Sequence, residues 1–300
     1  MAVTMMRYES VSEAGDAKSA LRNEANLWEH LRPGEEEEAL KFLGHRPIHT
    51  VFLATLIRDN GAVSPSNRGD FYVCRNGAKK IEGIALIGHA TIVEARTDHA
   101  VAAFAQLAAH NQHAHLIRGE RTTVESFWKH YSEDGREARL VCREMLFEKM
   151  AQAPSFEPVN DLRPATPQEA EHVAMINATL AREERGCDPL EADPIGFRAR
   201  IQRRIAQNRI WIWMRDGKPI FKADVVGDTP EMIYLEGIHV HPDARNQGYG
   251  KRCLLQLCAN FARQNRSVCL TINQRRADAV AFYAKAGFYY HSEYETIYLR

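Results

Sequence analysis

Apolar positions along this chain recur with two spacings, one typical of helices and one typical of strands. Behind residue 248, one helical face carries Cys253, Leu254, Leu257, Cys258 and Phe261. The runs RIWIWMRDGK and MIYLEGIHVHP are strand-like, and the first closes on an Asp-Gly turn. Together these segments predict a domain in which helices cover a sheet.

The order of predicted elements occurs twice along the chain, although residue identity between the two halves is weak. Each half runs strand, two helices, a meander of strands, helix, strand, helix, strand. This repeat predicts two copies of one α+β fold in tandem, each with a mixed, largely antiparallel sheet flanked by helices. We expect a loose segment at 1–25, domains at 26–150 and 162–300, and a polar linker with two prolines at 151–161.

Composition excludes several classes of protein. The 300 residues contain 39 Lys+Arg and 39 Asp+Glu, so there is no basic excess to indicate nucleic acid as the main partner. No apolar run approaches the roughly 20 residues of a membrane span, and the N-terminus has no apolar core like that of a signal peptide. Six scattered cysteines without a Cys-x-x-Cys pair are typical of reduced thiols, so we expect a cytoplasmic protein.

The stretch Arg245-Asn246-Gln247-Gly248-Tyr249-Gly250-Lys251-Arg252 separates a predicted strand from a predicted helix. Backbone N–H groups at a helix start have no intrahelical acceptor, and glycines let an anion approach them closely. Lys251 and Arg252 add positive charge. Alone, however, this pair of glycines favours an ordinary turn, because its spacing is neither that of a Walker loop nor that of the Rossmann fingerprint.

Two sets of residues around this stretch carry a family resemblance. Val240-His241-Pro242 precedes it, and Asn273 and a helix with Ala279, Tyr283, Gly287 and Phe288 follow it. Over residues 160–300 this pattern resembles the GNAT (Gcn5-related N-acetyltransferase) superfamily. The family's asparagine seven residues before the tyrosine is Arg276 here, and Asn273 is the expected substitute. Gln247 stands where the family often has arginine or glycine.

The resemblance implies acetyl-coenzyme A as acyl donor. Arg245 matches the first residue of the family's signature, and the pyrophosphate would be held by the backbone N–H groups of Gln247, Gly248, Tyr249, Gly250 and Lys251. The backbone of Ile238 and Val240 would pair with the pantetheine arm. Tyr283 would be the general acid that protonates the departing thiolate. Its place on the apolar face of a helix is also compatible with core packing alone.

Glu236 is the candidate base for the acceptor amine, because it is an acidic residue within an apolar strand. Strict alternation would place it on the same face as Tyr234, Ile238 and Val240. A structural partner for an arginine is an equally open interpretation, with deprotonation of the amine through water. His239 and His241 lack a third ligand, so no metal site is predicted. The charged segment 182–189 is either a lining of the acceptor cleft or a solvated loop.

The first half has the order of elements without the signature. Residues 92–99, after its longest strand, contain no glycine, and its late helix lacks the Gly-Phe ending. We therefore expect a degenerate copy that supports the second domain, shapes its acceptor site or forms the surface of a homodimer.

The functional prediction is an N-acyltransferase that moves an acetyl group from acetyl-coenzyme A to a primary amine by direct attack in a ternary complex. The acceptor is a small-molecule or peptide amine. A non-catalytic coenzyme A sensor or assembly module and a transferase with a longer acyl donor are the alternatives. Nucleic acid and membrane are not expected as partners.

Overall fold

A computed structural model describes residues 28–152 and 156–300, so the predicted loose segment 1–25 lies outside the described residues. The first half follows the predicted order of elements. Its helices and strands are β1 (Trp28–His30), α1 (Glu36–Leu43), α2 (Pro47–Asn60), β2 (Gly69–Arg75), β3 (Ile81–Gly88), β4 (Ala90–Ala95), α3 (Asp98–Ala109), β5 (Leu116–Glu120), α4 (Arg121–Tyr131) and β6 (Ala138–Lys149).

The second half repeats this order with one additional helical turn, α6. Its helices and strands are β7 (Arg163–Pro164), α5 (Ala170–Arg185), α6 (Pro189–Ala192), α7 (Pro194–Ala206), β8 (Ile210–Arg215), β9 (Lys218–Asp228), β10 (Met232–Val240), α8 (Tyr249–Ala262), β11 (Ser267–Asn273), α9 (Ala277–Lys285) and β12 (Tyr289–Leu299).

The twelve strands of the described residues form one continuous sheet, in the order β1-β2-β3-β4-β5-β12-β6-β11-β10-β9-β8-β7. Among the described residues, β4–β5 and β10–β11 are the parallel pairs, and the other neighbours are antiparallel. The predicted fold class, a mixed and largely antiparallel sheet flanked by helices, is confirmed.

The two halves exchange their last strands. Strand β12 ends the second half but pairs with β5 of the first, and β6 ends the first half but pairs with β11 of the second. The apolar cores follow the exchange. Phe147 of β6 packs in the core under α8, and Ile297 and Leu299 of β12 pack in the core under α3. Neither half therefore has a complete core from its own residues.

Part of the predicted linker is held against the second half. Gln256 of α8 receives the backbone N–H of Val159 at 2.7 Å and donates to its carbonyl at 3.1 Å. Val159 itself is buried. The domain boundaries drawn from the sequence stay predictions, because the strand exchange joins the halves in one sheet.

Candidate active site

Strands β10 and β11 diverge after a short parallel contact. They pair only from Met232 to Tyr234, opposite Ser267 to Cys269. Beyond this point β11 continues along β6 as far as Asn273, and β10 continues along β9. The result is a V-shaped opening in the sheet, bounded by the carboxyl-terminal parts of β10 and β11.

A β-bulge in β10 forms one side of this opening. Glu236 lies opposite Asp224 and His239 opposite Lys222, so β10 contains one residue more than β9 in this interval. Gly237 takes a φ of 57°, a conformation that glycine adopts readily. The bulge reverses the alternation, so the predicted shared face is wrong for Ile238 and Val240, whereas Tyr234 does share the face of Glu236, because both side chains bind Arg118. Ile238 and Val240 pack on the α8 side, whereas Glu236 and His239 share the opposite face.

Lys222 supports the bulge from a fully buried position. Its Nζ donates to the carbonyl of Gly237 at 3.1 Å and to Asp224 Oδ2 at 2.7 Å, and it also contacts Asn177 of α5. Burial lowers the pKa of Lys222, and the neighbouring Asp224 carboxylate opposes this shift. These contacts fix the bulge because the carbonyl of Gly237 has a charged donor.

The backbone of Ile238 and Val240 faces the opening. His241 N–H donates to Ile220 of the neighbouring segment at 3.0 Å, so the alternate positions 238 and 240 direct their polar groups away from β9. Arg245 Nε donates to the Val240 carbonyl at 3.1 Å. Arg245 therefore holds the end of β10 against the turn that follows.

The turn before α8 contains two residues in the left-handed region, Asn246 with φ 60° and Gly248 with φ 80°. The first hydrogen bond of the helix runs from Arg252 N–H to Gly248 O, at 3.1 Å. The N–H groups of Tyr249, Gly250 and Lys251 precede it and have no intrahelical acceptor. A Cβ on Gly248 would meet nothing within 4 Å, so the backbone here is open on its outer side.

Gly250 serves packing as well as access. A Cβ at this position would lie 2.9 Å from Val240 Cγ2 and 3.5 Å from the Phe282 ring. Its absence lets α8 approach both β10 and α9 closely. Of the other polar residues here, Gln247 donates to Asp243 O at 2.8 Å, and Arg252 contacts the carbonyls of Glu157 and Pro158. Arg252 thus secures the linker, whereas the sequence had assigned its charge to the anion cradle.

Helix α9 presents a half-exposed apolar face. None of its residues is buried, although Ala279, Val280, Phe282 and Tyr283 pack against the main core. The Tyr283 ring contacts Phe282 and Phe288 edge-on, at centroid distances of 5.0 and 5.8 Å. Partial burial of Tyr283 raises the pKa of its hydroxyl, and the charge of the Glu184 carboxylate adds to this effect. No described group hydrogen-bonds to its hydroxyl. The phenol is therefore protonated at neutral pH and able to donate.

Asn273 ends β11 at the rim of the opening. Its Oδ1 accepts the N–H of Arg275 at 2.9 Å and so caps the turn before α9. Arg276, in the family's asparagine position, forms an ion pair with Asp278 at 3.1 Å.

Glu236 is held by an arginine from the first half of the chain. Arg118 Nη1, on β5, donates to Glu236 Oε1 at 2.9 Å. Although burial opposes it, the charge of Arg118, with Arg185 and Arg204, lowers the pKa of Glu236 to about 2. A carboxylate with so low a pKa is a weak base. The contact matches the second interpretation left open by the sequence, a structural partner for an arginine.

Arg118 and its partner Glu144 link three more strands, β11, β6 and β12, to this pair. Its Nη2 donates to Thr271 Oγ1 of β11 at 2.6 Å and to the hydroxyl of Tyr234 of β10. Glu144 of β6 lies 3.7 Å away and accepts from Thr271 at 3.1 Å and from Thr296 of β12 at 2.7 Å. The exchange of strands therefore places residues of both halves in one polar network.

This network forms the floor of a cavity of about 2250 Å³ between the sheet and helices α5 to α7. The cavity reaches the β10–β11 opening, the turn before α8 and Tyr283. Among residues 28–152 and 156–300, no group of three or more His, Cys, Asp or Glu side chains could hold a metal ion. No helix in those ranges is long and apolar enough to cross a membrane.

Comparison with known proteins relates this part of the chain to a known family. The model of the acetyltransferase (GNAT) family matches residues 175–288, which include the bulge, the glycine turn and α9. The matched residues lie within the second half of the chain. A search of curated protein sequences finds no significant match.

Solved structures share the fold over both halves. A GNAT-family acetyltransferase from Colwellia psychrerythraea aligns with a TM-score of 0.54 and 10% identity, covering 91% of this chain and 99% of that one. A tandem GNAT protein from the clavulanic acid biosynthesis pathway gives 0.55 and 14%, covering 90% and 97%. A Drosophila protein gives 0.68 and 12%, covering 91% and 98%. These likenesses establish the fold.

Sequence reasoning missed Arg118, Glu144 and Lys222. Arg118 and Glu144 reach the second half of the chain only through the exchange of strands, which no local pattern reveals. Gly237 was a usable signal, because a glycine inside a strand often marks a bulge. Lys222 and Asp224, two charges in an apolar strand, could have indicated a buried pair behind it.

Proposed function

We propose that this protein is an N-acetyltransferase that moves the acetyl group of acetyl-coenzyme A to a primary amine by direct attack in a ternary complex. The observation that carries the proposal is that three features border one cavity. They are the turn before α8, the β10–β11 opening and Tyr283.

The residues fit coenzyme A at each of these points. Backbone N–H groups at a helix start, with the positive end of the helix dipole, bind pyrophosphate well, and the open outer side of Gly248 permits close approach. Gln247, Gly248, Tyr249, Gly250 and Lys251 would form this cradle. Ile238 and Val240 offer backbone groups to the amides of the pantetheine arm, although Arg245 already donates to the Val240 carbonyl.

Tyr283 is proposed as the general acid. The thiolate that leaves the thioester needs a proton, and the phenol retains its proton because burial raises its pKa. The bound donor supplies the acetyl group and the leaving thiol. The chain binds it, orients its carbonyl along β10 and provides this proton.

Glu236 is proposed to act through its charge. Its low pKa keeps it ionised, so it favours a cationic acceptor in the cavity but takes up a proton poorly. Removal of the ammonium proton therefore falls to water or to another group of the cavity.

The first half is proposed as a degenerate copy that builds the acceptor site of the second. The contacts of Arg118 and Glu144 support this role. At its own helix start, the Thr97 side chain accepts the N–H of Ala100 at 3.3 Å, and Asp98 adds a negative charge in the first turn. Both features oppose the binding of an anion there.

The test combines calorimetry with coenzyme A and titration of released thiol, with acetyl-coenzyme A and a panel of small amines and peptides. We expect one coenzyme A site per chain and thiol release with at least one amine. Binding without release for every amine would favour a sensor or assembly module. A preference for longer acyl donors in the same assay would show that the donor is not acetyl-coenzyme A but a longer acyl-coenzyme A. If coenzyme A does not bind and no thiol is released with any amine, the proposal is refuted.

A further inference from the structure

Lys222 of β9 is a fully buried lysine beside the bulge of β10, opposite His239. An ammonium group is costly to bury, and lysine is almost never fully buried without partners. A buried ion pair is often no more stable than apolar residues of the same size. Stability alone therefore does not account for a lysine at this position, and its contacts indicate a second role.

The contacts of Lys222 require its amine to be protonated. Its Nζ is surrounded by three acceptors, which are the Gly237 carbonyl at 3.1 Å, Asp224 Oδ2 at 2.7 Å and Asn177 Oδ1. An ammonium group has three N–H donors, whereas a neutral amine has two. Asn177 Nδ2 donates to the same Asp224 oxygen at 3.0 Å, which turns the amide oxygen toward Lys222. The Gly237 carbonyl thus accepts a charge-assisted hydrogen bond.

This carbonyl belongs to the same peptide group as the N–H of Ile238. No peptide bond among the described residues is cis, and in a trans peptide the C=O and the N–H point in opposite directions. Position 238 directs its polar groups away from β9, toward the opening. The carbonyl at the other side of the peptide accordingly turns toward β9, where Lys222 binds it. Neither Gly237 nor Ile238 has a partner in the pairings of the described strands, so the N–H of Ile238 is available to a ligand.

The peptide group can transmit the effect of the lysine charge to the opening. A cationic donor on the carbonyl oxygen draws electron density from the amide nitrogen and makes its N–H a stronger donor, because hydrogen bonds in a chain polarise one another. Solvent screens the charge of Lys222 only weakly, since the side chain is fully buried. The N–H of Ile238 therefore combines a fixed direction with increased donor strength.

We propose that Lys222 is a positioning residue for acyl transfer, which fixes and polarises the peptide between Gly237 and Ile238 so that the Ile238 N–H stabilises the thioester carbonyl oxygen. This role rests on the proposed acetyltransferase function, in which the donor carbonyl lies along β10. When the amine attacks, negative charge develops on that oxygen. A fixed donor binds it more strongly in the transition state than in the ground state, which accelerates the reaction. Lys222 itself touches neither donor nor acceptor.

The first variant combines Lys222→Met with Asp224→Asn. Both charges are removed together, because loss of the lysine alone would leave a buried carboxylate without its partner. With an amine that the wild type accepts, we expect kcat for thiol release to fall about tenfold, less than for loss of an oxyanion donor, since the Ile238 N–H remains. The KM for acetyl-coenzyme A and the affinity for coenzyme A should be kept.

The matched control combines Arg163→Met with Glu169→Gln. This ion pair, at 2.7 Å, joins β7 to the start of α5, and neither residue lines the cavity. The control should lower the stability of the protein and leave kcat unchanged. A comparison of the two double variants thus separates an effect on the peptide at the bulge from a general loss of stability.

The infrared carbonyl stretch of bound acetyl-coenzyme A gives a readout that needs no acceptor. In the wild type its frequency should lie below that of free acetyl-coenzyme A, because a strong donor weakens the C=O bond. The frequency should move toward the free value in the Lys222 and Asp224 double variant and stay at the wild-type value in the control. A purely structural role of Lys222 would not move it.

Gly237→Ala tests the same contact without removing a charge. Its Cβ would lie 2.7 Å from Lys222 Nζ and 3.2 Å from Asp224 Oδ2, so the ammonium group must move away from the carbonyl. We expect the same fall in kcat and the same change of carbonyl frequency as in the double variant.

Two results would overturn the role of Lys222. In the first, the Lys222 and Asp224 double variant keeps the wild-type kcat and carbonyl frequency. In the second, its affinity for coenzyme A falls as much as kcat, which indicates support of the fold alone. A wild type that does not bind coenzyme A refutes the proposed function and this role with it. If the wild type binds but releases no thiol with any amine, the proposed function fails, and an unchanged carbonyl frequency in the double variant overturns the role of Lys222 separately.

Discussion

The strand pairs β4–β5 and β10–β11 begin alike and then differ. Each makes three parallel residue pairs, Ala90–Ile92 with Leu116–Arg118 in the first half and Met232–Tyr234 with Ser267–Cys269 in the second. Strand β4 then stays in regular register with β3 up to Ala95, whereas β10 bulges at Gly237. The two strands therefore diverge in both halves. In the second half, the bulge and the glycine turn convert the gap between the strands into a candidate binding site.

The helices that follow these strands also differ between the halves, because those of the first half enclose a filled core and α9 of the second half does not. Helices α3 and α4 share one closed core, in which Phe104, Phe127 and Tyr131 are fully buried. Helix α9 has no buried residue, and its apolar side borders the cavity. In the first half, side chains of the protein fill the space that the second half leaves accessible.

One feature is common to both halves, an arginine that bridges the two diverging strands. Arg46 binds Glu94 of β4 at 3.2 Å and Glu120 of β5 at 2.5 Å. Arg118 binds Glu236 of β10 at 2.9 Å and Thr271 of β11 at 2.6 Å. Because the bridge occurs with and without the glycine turn, it belongs to the scaffold, and only the second bridge borders the proposed reaction.

Removal of the two bridges should give the largest difference between the halves. Arg118→Met leaves Glu236 without its partner, and because the Glu236 side chain is 37% exposed, we expect a loss of about 1 kcal/mol in the free energy of unfolding together with loss of thiol release. Arg46 is more exposed, and Arg46→Met should cost about 1 kcal/mol with thiol release retained. Denaturant titration and the thiol assay measure both. Equal loss of activity in the two variants would contradict the division of roles.

Matched tyrosines test the helices. Tyr283→Phe should lower kcat for thiol release about 100-fold while coenzyme A affinity is kept, because the phenol would act only on the leaving group. Tyr131→Phe in α4 removes a hydroxyl that accepts the N–H of Arg136 at 3.2 Å. It should cost about 1 kcal/mol of stability and leave kcat unchanged. If Tyr283→Phe keeps full activity, Tyr283 has only a packing role.

A feature of this fold could be predicted from the sequence when it depends on residues that are close together along the chain. The order of elements, the start of α8 at Tyr249 and the apolar face of α9 are local, and periodicity predicted them. The exchange of β6 and β12 depends on pairing between residues more than a hundred positions apart, so neither the exchange nor Arg118 could be predicted. The shared face predicted for Glu236, Ile238 and Val240 was wrong because one inserted residue reverses every later side chain of a strand.

Matched glycines test the cradle. Gly248 and Gly217 both have positive φ values, 80° and 72°, and an added Cβ would meet nothing within 4 Å at either. Alanine should therefore strain both turns by about 1 kcal/mol. Gly248→Ala should also weaken coenzyme A binding about tenfold, since its backbone would contact the pyrophosphate, whereas Gly217→Ala in the β8–β9 hairpin should not. Equal affinities in calorimetry would remove Gly248 from the cradle.

The smallest expected effect concerns pH. The contributions of Glu236 and Glu94 to the free energy of unfolding should change in opposite directions when the pH falls. The folded pKa of Glu236 is about 2, below its ordinary 4.5, so its contribution to stability is full above pH 4.5 and is lost as the pH falls toward 2. Burial raises the pKa of Glu94, despite Arg46. Its charge therefore costs stability as the pH rises from 4.5 through its folded pKa, and acid removes that cost.

Unfolding of Glu236→Gln and Glu94→Gln between pH 3 and 7 measures both effects against the wild type. On acidification, the advantage of the wild type over Glu236→Gln should shrink by on the order of 1 kcal/mol, because the 37% exposed side chain is screened by solvent. On acidification, the free energy of unfolding of the wild type should rise relative to that of Glu94→Gln. Parallel pH dependence in the two variants would mean that the pKa values of Glu236 and Glu94 are shifted in the same direction, which would contradict the difference between the two bridges.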